Sequence, residues 1–429
     1  MSHWINHYNR LRNWLIEREY EPNEKLESED PFFVKLAVVL FIVNIMVMIR
    51  GYAVSNILES VLFFLFVCRV TLRRELIKAF NDPLIMALAW FVGWILLSSS
   101  WSDAGFLQSI EDVISWRKLL LIPLGLVLLW NRRIAFMALA VLMGMGIVYL
   151  GFSIIEFSGL GQWWGPRDYN NIAQDANVQG IYFSIVGLAF ILLPLEKKFS
   201  LRCLLVFWSI AVLFFIFVSW LGISRSGYVA FAVTVVIILS KVTSKAYISL
   251  ILGVIISGTI FMSSTTVNQR WSQAIIELKE GFEESGGEHT SGSIRSVMWK
   301  NTVLMIVDKP FLGTGAGAFS IGYAKKLTSD NGWRSTLTDD PHNQYLHIAG
   351  EYGLIGLMLF VVFLLLIVLQ AGLKGFGQNM LAAVVGISLL VSFFNGVFGG
   401  FAMGRLVCMS LVIFMAISRF ERREIGRQR

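Results

Sequence analysis

TDDPHNQYLHIAGEYGLIGLMLFVVFLLLIV, residues 338–368, passes from two aspartates and two histidines into hydrocarbon-like sequence within a few positions. The run 346–368 is long enough to cross the roughly 30 Å apolar core of a bilayer as a helix. From Leu354 to Val368 it carries no charge. The stretch reads as a membrane helix with ionisable groups at its lip, so its meaning depends on which side of the membrane that lip faces.

Composition extends this reading to the whole chain. Of 429 residues, 56% are hydrophobic and only 15% charged, against about 45–50% and 25% in soluble domains; mean hydropathy is +0.66. Apolar blocks at 32–49, 52–70, 84–99, 117–130, 134–156, 177–195, 203–223, 227–240, 246–263, 346–368, 380–394 and 401–418 predict an all-α polytopic membrane protein of about twelve transmembrane helices. Those at 117–130 and 227–240 are short. Cys68, Cys203 and Cys408 fall in or beside apolar runs and define no disulfide framework. No cleavable signal peptide is expected, because the first apolar run follows a long polar head. In that head Trp4, Tyr8, Leu11 and Leu15 fall at helical spacing beside Arg10, Arg12 and Arg18. Residues 1–31 read either as an interfacial amphipathic helix or as a frayed tail.

Charge sets the orientation. With the N-terminus in the cytoplasm, the inside segments hold twenty-one cations, among them Arg69, Arg73, Arg74 and Lys78 and a basic tail over 419–429. The short outer segments hold six: Arg50, Arg117, Lys118, Arg167, Arg225 and Arg405. By the positive-inside rule both termini are cytoplasmic. Residues 32–263 then carry helices 1–9 and residues 346–418 helices 10–12. Between them, 264–345 forms a large outer loop. One helical stripe in it comprises Trp271, Ala274, Ile275, Leu278 and Phe282; a second runs from Ile294 to Met305, with Ser293 as its N-cap and Pro310 beyond its end. The glycines of GTGAGAF, residues 313–319, follow no strand and read as a tight turn in place of a nucleotide loop. No nucleic-acid partner is expected.

No ATP is available outside, so a synthetic enzyme there needs an already activated substrate, and lipid-linked diphosphate sugars are the usual membrane-borne form. Cations that persist in outer segments gain meaning in that light. Arg225 in GISRSGY, Arg295 opening a loop helix, and Arg117 with Lys118 in SWRKLLLIPL are candidate diphosphate ligands, because a guanidinium pairs with two oxygens at once and stays charged. Interfacial snorkelling is the alternative, and the favoured one for Arg50, Arg167 and Arg405. His342 suits a general base, with Asp340 placed to orient it; a capping or hydrogen-bonded histidine is the other reading. His347 points about 140° away on a helix and reads as structural. No metal-ligand spacing appears among the five histidines and three cysteines.

His342-Asn343, nine residues, Gly353, two residues and Gly356 resembles the motif of the bacterial O-antigen ligases, an architecture shared with O-antigen polymerases and protein O-oligosaccharyltransferases. The resemblance takes in most of the chain, including the outer loop, the SRSG turn carrying Arg225, and the arginine-led helix that runs on to DKPFLGTGAGAF. It implies a GT-C-like fold in the bacterial inner membrane with a periplasmic site, and no cofactor. It also implies glycan transfer with inversion from an undecaprenyl diphosphate donor to lipid A-core. His342 would then activate the acceptor and Arg225 and Arg295 would hold the diphosphate. Arg117 and Lys118 would sit on the donor, and Asn343 and Asp340 in support. A polymerase, a protein-glycosylating enzyme and, in a different class, a lipid-linked glycan transporter remain as alternatives. Oligomeric state stays open.

Overall fold

A computed structural model describes residues 2–160, 175–222, 224–243, 245–263, 291–327 and 336–427. Every regular element among them is helical. Six helices are long and apolar enough to cross a membrane: Arg132–Phe157, Ala176–Glu196, Leu201–Leu221, Ala246–Ser263, Gln344–Gln370 and Phe401–Glu424. Pro31–Val47, Pro83–Ser98, Arg225–Leu239 and Phe376–Val391 are shorter apolar helices. Among the described residues the chain is therefore an all-helical membrane protein, with six candidate spans, or seven if the bent pair Tyr52–Cys68 and Val70–Ala79 is one, where the sequence suggested twelve.

Tyr52–Cys68 keeps the expected span 52–70 and the run 117–130 departs from its own, each for an identifiable reason. Tyr52–Cys68 turns by 94° into Val70–Ala79, whose Arg73, Arg74 and Lys78 are charges that hydrocarbon would not accept. The run 117–130 is a 3-10 turn, Trp116–Leu120, followed by the eight-residue helix Leu121–Leu128. All eight of those residues are buried. Its apolar composition records burial among neighbouring helices, and eight residues at 1.5 Å each cannot cross a bilayer.

Helix Ser2–Glu17 forms in the polar head. It is docked: Arg12 donates to the Leu369 and Ala371 carbonyls at 3.2 and 3.3 Å, and Leu15 is buried. In the segment 264–345, helix Ser291–Asp308 matches the second stripe and starts two residues before Ser293. The first stripe, from Trp271 to Phe282, and Arg167 lie outside the described residues.

The feature that positions the site is a break in helix Gln344–Gln370. At Gly353 the backbone leaves helical geometry, with φ +71° and ψ 179°, and residues 310–315 fill the gap. Thr314 and Gly315 amides donate to the Gly350 and Glu351 carbonyls at 3.1 and 2.8 Å, and the Leu354 amide donates to Pro310 O at 2.8 Å. Trp94 Nε1 donates to the Tyr352 carbonyl at 2.9 Å. Backbone groups opened by the break are thus satisfied from outside the helix, as burial requires. A Cβ at Gly353 would stand 2.0 Å from Phe311 O, and one at Gly313 would stand 2.4 Å from Glu351 O. Gly313 of GTGAGAF and Gly353 itself permit this close backbone approach, while Gly315 and Gly317 sit against Ser102 and Gln108.

Candidate active site

Asn343 caps helix Gln344–Gln370. Its Oδ1 accepts from the Tyr345 and Leu346 amides, both at 3.1 Å, which satisfies donors the first turn leaves open. The residue before it, His342, holds φ +54°, a left-handed conformation costing a non-glycine residue roughly 1–2 kcal/mol. Hydrogen bonds hold it there. The His342 amide donates to Asp340 Oδ1 at 2.7 Å, and Thr338 Oγ1 donates to the Asp340 carbonyl at 2.9 Å. Pro341, Asn343 and Gln344 are buried while the imidazole is exposed. An exposed ring on a fixed mount suits a group that must meet a substrate. Its Nδ1 lies 3.9 Å from Asp340 Oδ2, beyond hydrogen-bond reach but close enough for an orienting charge.

A single turn, residues 392–400, collects the other elements. The Gln344 amide donates to Ser392 O at 2.8 Å, and Gln344 Oε1 accepts from the Phe398 and Gly399 amides at 2.9 and 3.1 Å. Asn395 Nδ2 donates to Ser226 Oγ at 2.6 Å, beside Arg225. Lys118 Nζ donates to the Gly399 and Gly400 carbonyls, the latter at 3.1 Å. Arg225 is the first residue of helix Arg225–Leu239, capped by Ser224, whose Oγ accepts from the Gly227 amide at 2.9 Å. It is half-buried at a helix end that favours anions. Arg295 lies on helix Ser291–Asp308, one turn before Trp299 and on the same face. Trp299 Nε1 donates to the Pro341 carbonyl at 3.0 Å, next to His342. The structure thus gathers His342, Asn343, Asp340, Arg225 and the Arg295 helix around one end of the kinked helix.

Arg117 and Lys118 have other partners. Lys118 is 1% exposed and committed to carbonyls. Arg117 pairs with Asn56 and lies 3.6 Å from Glu59. Glu59 also holds Arg405, which is fully buried and donates to both Glu59 oxygens and to Asn56. Snorkelling does not describe Arg405. Its charge is answered inside the protein, and the pairing partner, Glu59, sits in a distant part of the sequence.

Behind the kink lies a second polar group. His347 Nε2 is 3.0 Å from Glu351 Oε2, and Asp112 Oδ2 accepts from Tyr352 Oη at 2.6 Å. Trp116 Nε1 donates to the same hydroxyl at 2.8 Å. Burial, and then the Glu351 charge, push the Asp112 carboxyl up to about 7. Asp103 behaves oppositely: Lys309, and further Lys325, hold its carboxyl below the usual range.

Sequence reasoning missed Gln344 and the 392–400 turn. A signal was there: Asn395-Gly396 and Gly399-Gly400 between two apolar runs mark a turn. Residues 210–361 match the family model described as O-antigen ligase. That segment contains Arg225, Arg295, His342 and Asn343 and stops short of the turn that gathers them. No curated protein matches the chain.

Proposed function

We propose that this chain, which belongs with the O-antigen ligase family over residues 210–361, transfers a glycan from undecaprenyl diphosphate to lipid A-core at the periplasmic face of the bacterial inner membrane. On this reading the chain is a polytopic protein of that membrane, with its N-terminus cytoplasmic. Its shorter apolar helices complete the bundle. The observation that carries the chemistry is the exposed His342 imidazole, fixed by its backbone on the turn system that also holds the start of the Arg225 helix.

The acceptor hydroxyl loses its proton to His342 as its oxygen bonds to the anomeric carbon. The bond from that carbon to the diphosphate oxygen breaks, and the leaving diphosphate takes the electron pair. One displacement inverts the anomeric centre. Arg225 and Arg295 hold the diphosphate and meet the charge it gains, so charge stabilisation stands in for a general acid. Arg117 and Lys118 act on this site through the cluster and the turn they brace. Transfer is expected to persist fully in EDTA.

The test is a strain lacking the protein, complemented with wild type or His342→Ala at matched membrane levels, with lipopolysaccharide and lipid-linked glycan run side by side. Wild type should restore long-chain lipopolysaccharide and the variant should leave polymer on lipid. Single repeat units on core in the null strain would make the protein a polymerase instead. Unchanged pools would move the acceptor elsewhere, a protein hydroxyl included.

A further inference from the structure

Helix Phe106–Ser115 lies outside every candidate span, yet it exposes some of the largest apolar side chains in the molecule. Phe106 is 78% exposed, Leu107 75%, Ile114 50% and Ile110 37%. At 100° per residue these four fall within one quadrant of the helix, about 100° wide. The adjoining arc carries Gln108, Glu111 and Ser115, of which Gln108 and Glu111 are exposed. The third face turns inward. Ser109 is buried, and Asp112 meets Tyr352 beside the helix break.

Three faces with three chemistries describe a helix at a boundary of protein, water and hydrocarbon. The apolar quadrant also has continuity on its side. Helix Pro83–Ser98 ends in the exposed Leu96 and Leu97, and the exposed Phe311 belongs to the loop that fills the break. Trp101 Nε1 donates to the Leu312 carbonyl at 3.1 Å, binding that loop to the segment leading into Phe106–Ser115.

We propose that helix Phe106–Ser115 lies in the membrane interface at the end of the molecule that carries the candidate site, its Phe106, Leu107, Ile110 and Ile114 inserted among acyl chains. The polar arc faces water and the inner face holds the kinked helix through Asp112. This seating fixes the height of His342 above the lipid. It depends on the chain being a membrane protein and not on the reaction proposed for it.

The experiment uses full-length protein with Cys68 and Cys203 replaced by serine, the buried Cys408 retained, in phosphatidylethanolamine–phosphatidylglycerol vesicles. Single cysteines at Leu107, Ile110, Gln108 and Glu111 carry a nitroxide, and power saturation compares collisions with oxygen and with a water-soluble nickel chelate. Labels at Leu107 and Ile110 should be several-fold more accessible to oxygen and several-fold less accessible to nickel than those at Gln108 and Glu111. Equal nickel access at all four positions would put the helix in water. Exclusion of both reagents at Leu107 and Ile110 would mean that protein, such as a second copy of the chain, covers the quadrant. Either result overturns the proposal.

Discussion

His342 stands in a backbone conformation that its type disfavours, and the cost is met by Asp340 and the Asn343 cap. Arg225→Lys keeps a charge but loses the two-point grip of a guanidinium. It should lose most transfer at unchanged membrane level in a vesicle assay with lipid-linked glycan; near wild-type turnover would sink the clamp. Gly353→Ala adds a Cβ 2.0 Å from Phe311 O at φ +71°. With ψ at 179° the backbone sits in a region open essentially to glycine alone, a cost of about 1–3 kcal/mol for alanine, so the purified protein should melt several degrees lower. Asp112 gives a pH test. Its carboxyl keeps a proton from about pH 4 up to about 7 in the folded state, while the unfolded chain releases it. Stability therefore falls as pH rises through that window. Asp112→Asn should flatten the fall, and an unaltered slope would assign it to other groups. At this scale His342, Arg225 and Arg295 were legible as candidates, because charged and imidazole groups are rare between long apolar runs. Gln344 was not, since an amide in a polar stretch announces nothing until Phe398 and Gly399 are found against it.

Elements were legible by type and less so by fate. The uncharged run after Leu354 and the stripe over Ile294–Met305 gave helices where expected. The run 117–130 misled because hydropathy cannot distinguish a side chain facing lipid from one packed against other helices. The helix break at Gly353 was hidden for a related reason: its amides are satisfied by Pro310 and Phe311, more than forty positions earlier. Helix Ser291–Asp308 makes its own prediction. Trp299→Phe keeps the ring's bulk and removes the donor to Pro341 O. Losing one hydrogen bond of about 0.5–1.5 kcal/mol should lower kcat/KM a few-fold at full expression. An unchanged kcat/KM would detach this helix from the site.

Across the whole molecule, helix Phe401–Arg427 carries a buried arginine near each end. Arg405 meets Glu59, and Arg419 meets Asp82 at 2.8 Å beside Tyr20. Fourteen residues separate them, about 21 Å along a helix axis. Charge counting assigned them to opposite sides of the membrane, and each finds its partner in the first quarter of the chain. Removing one member of such a pair strands the other, typically at 3–5 kcal/mol, whereas replacing both is often tolerated. Arg405→Leu should therefore destabilise the detergent-solubilised protein, Glu59 keeping only Arg117 at 3.6 Å, and adding Glu59→Leu should restore part of the loss. No recovery in the double variant would mean that Arg405 serves more than Glu59. The helical class was readable from apolar runs; these pins were not, because pairing across more than three hundred positions leaves no local mark.

The seam at Gly353 bears on how the protein is made. Translation delivers Pro310–Gly315 before Leu354 and Ile355 exist, so the segment that will fill the break is already available when the break is inserted. Had the order been reversed, open amides would enter the bilayer with nothing to meet them. A circularly permuted chain placing residues 344–370 ahead of 291–327 would lose that head start.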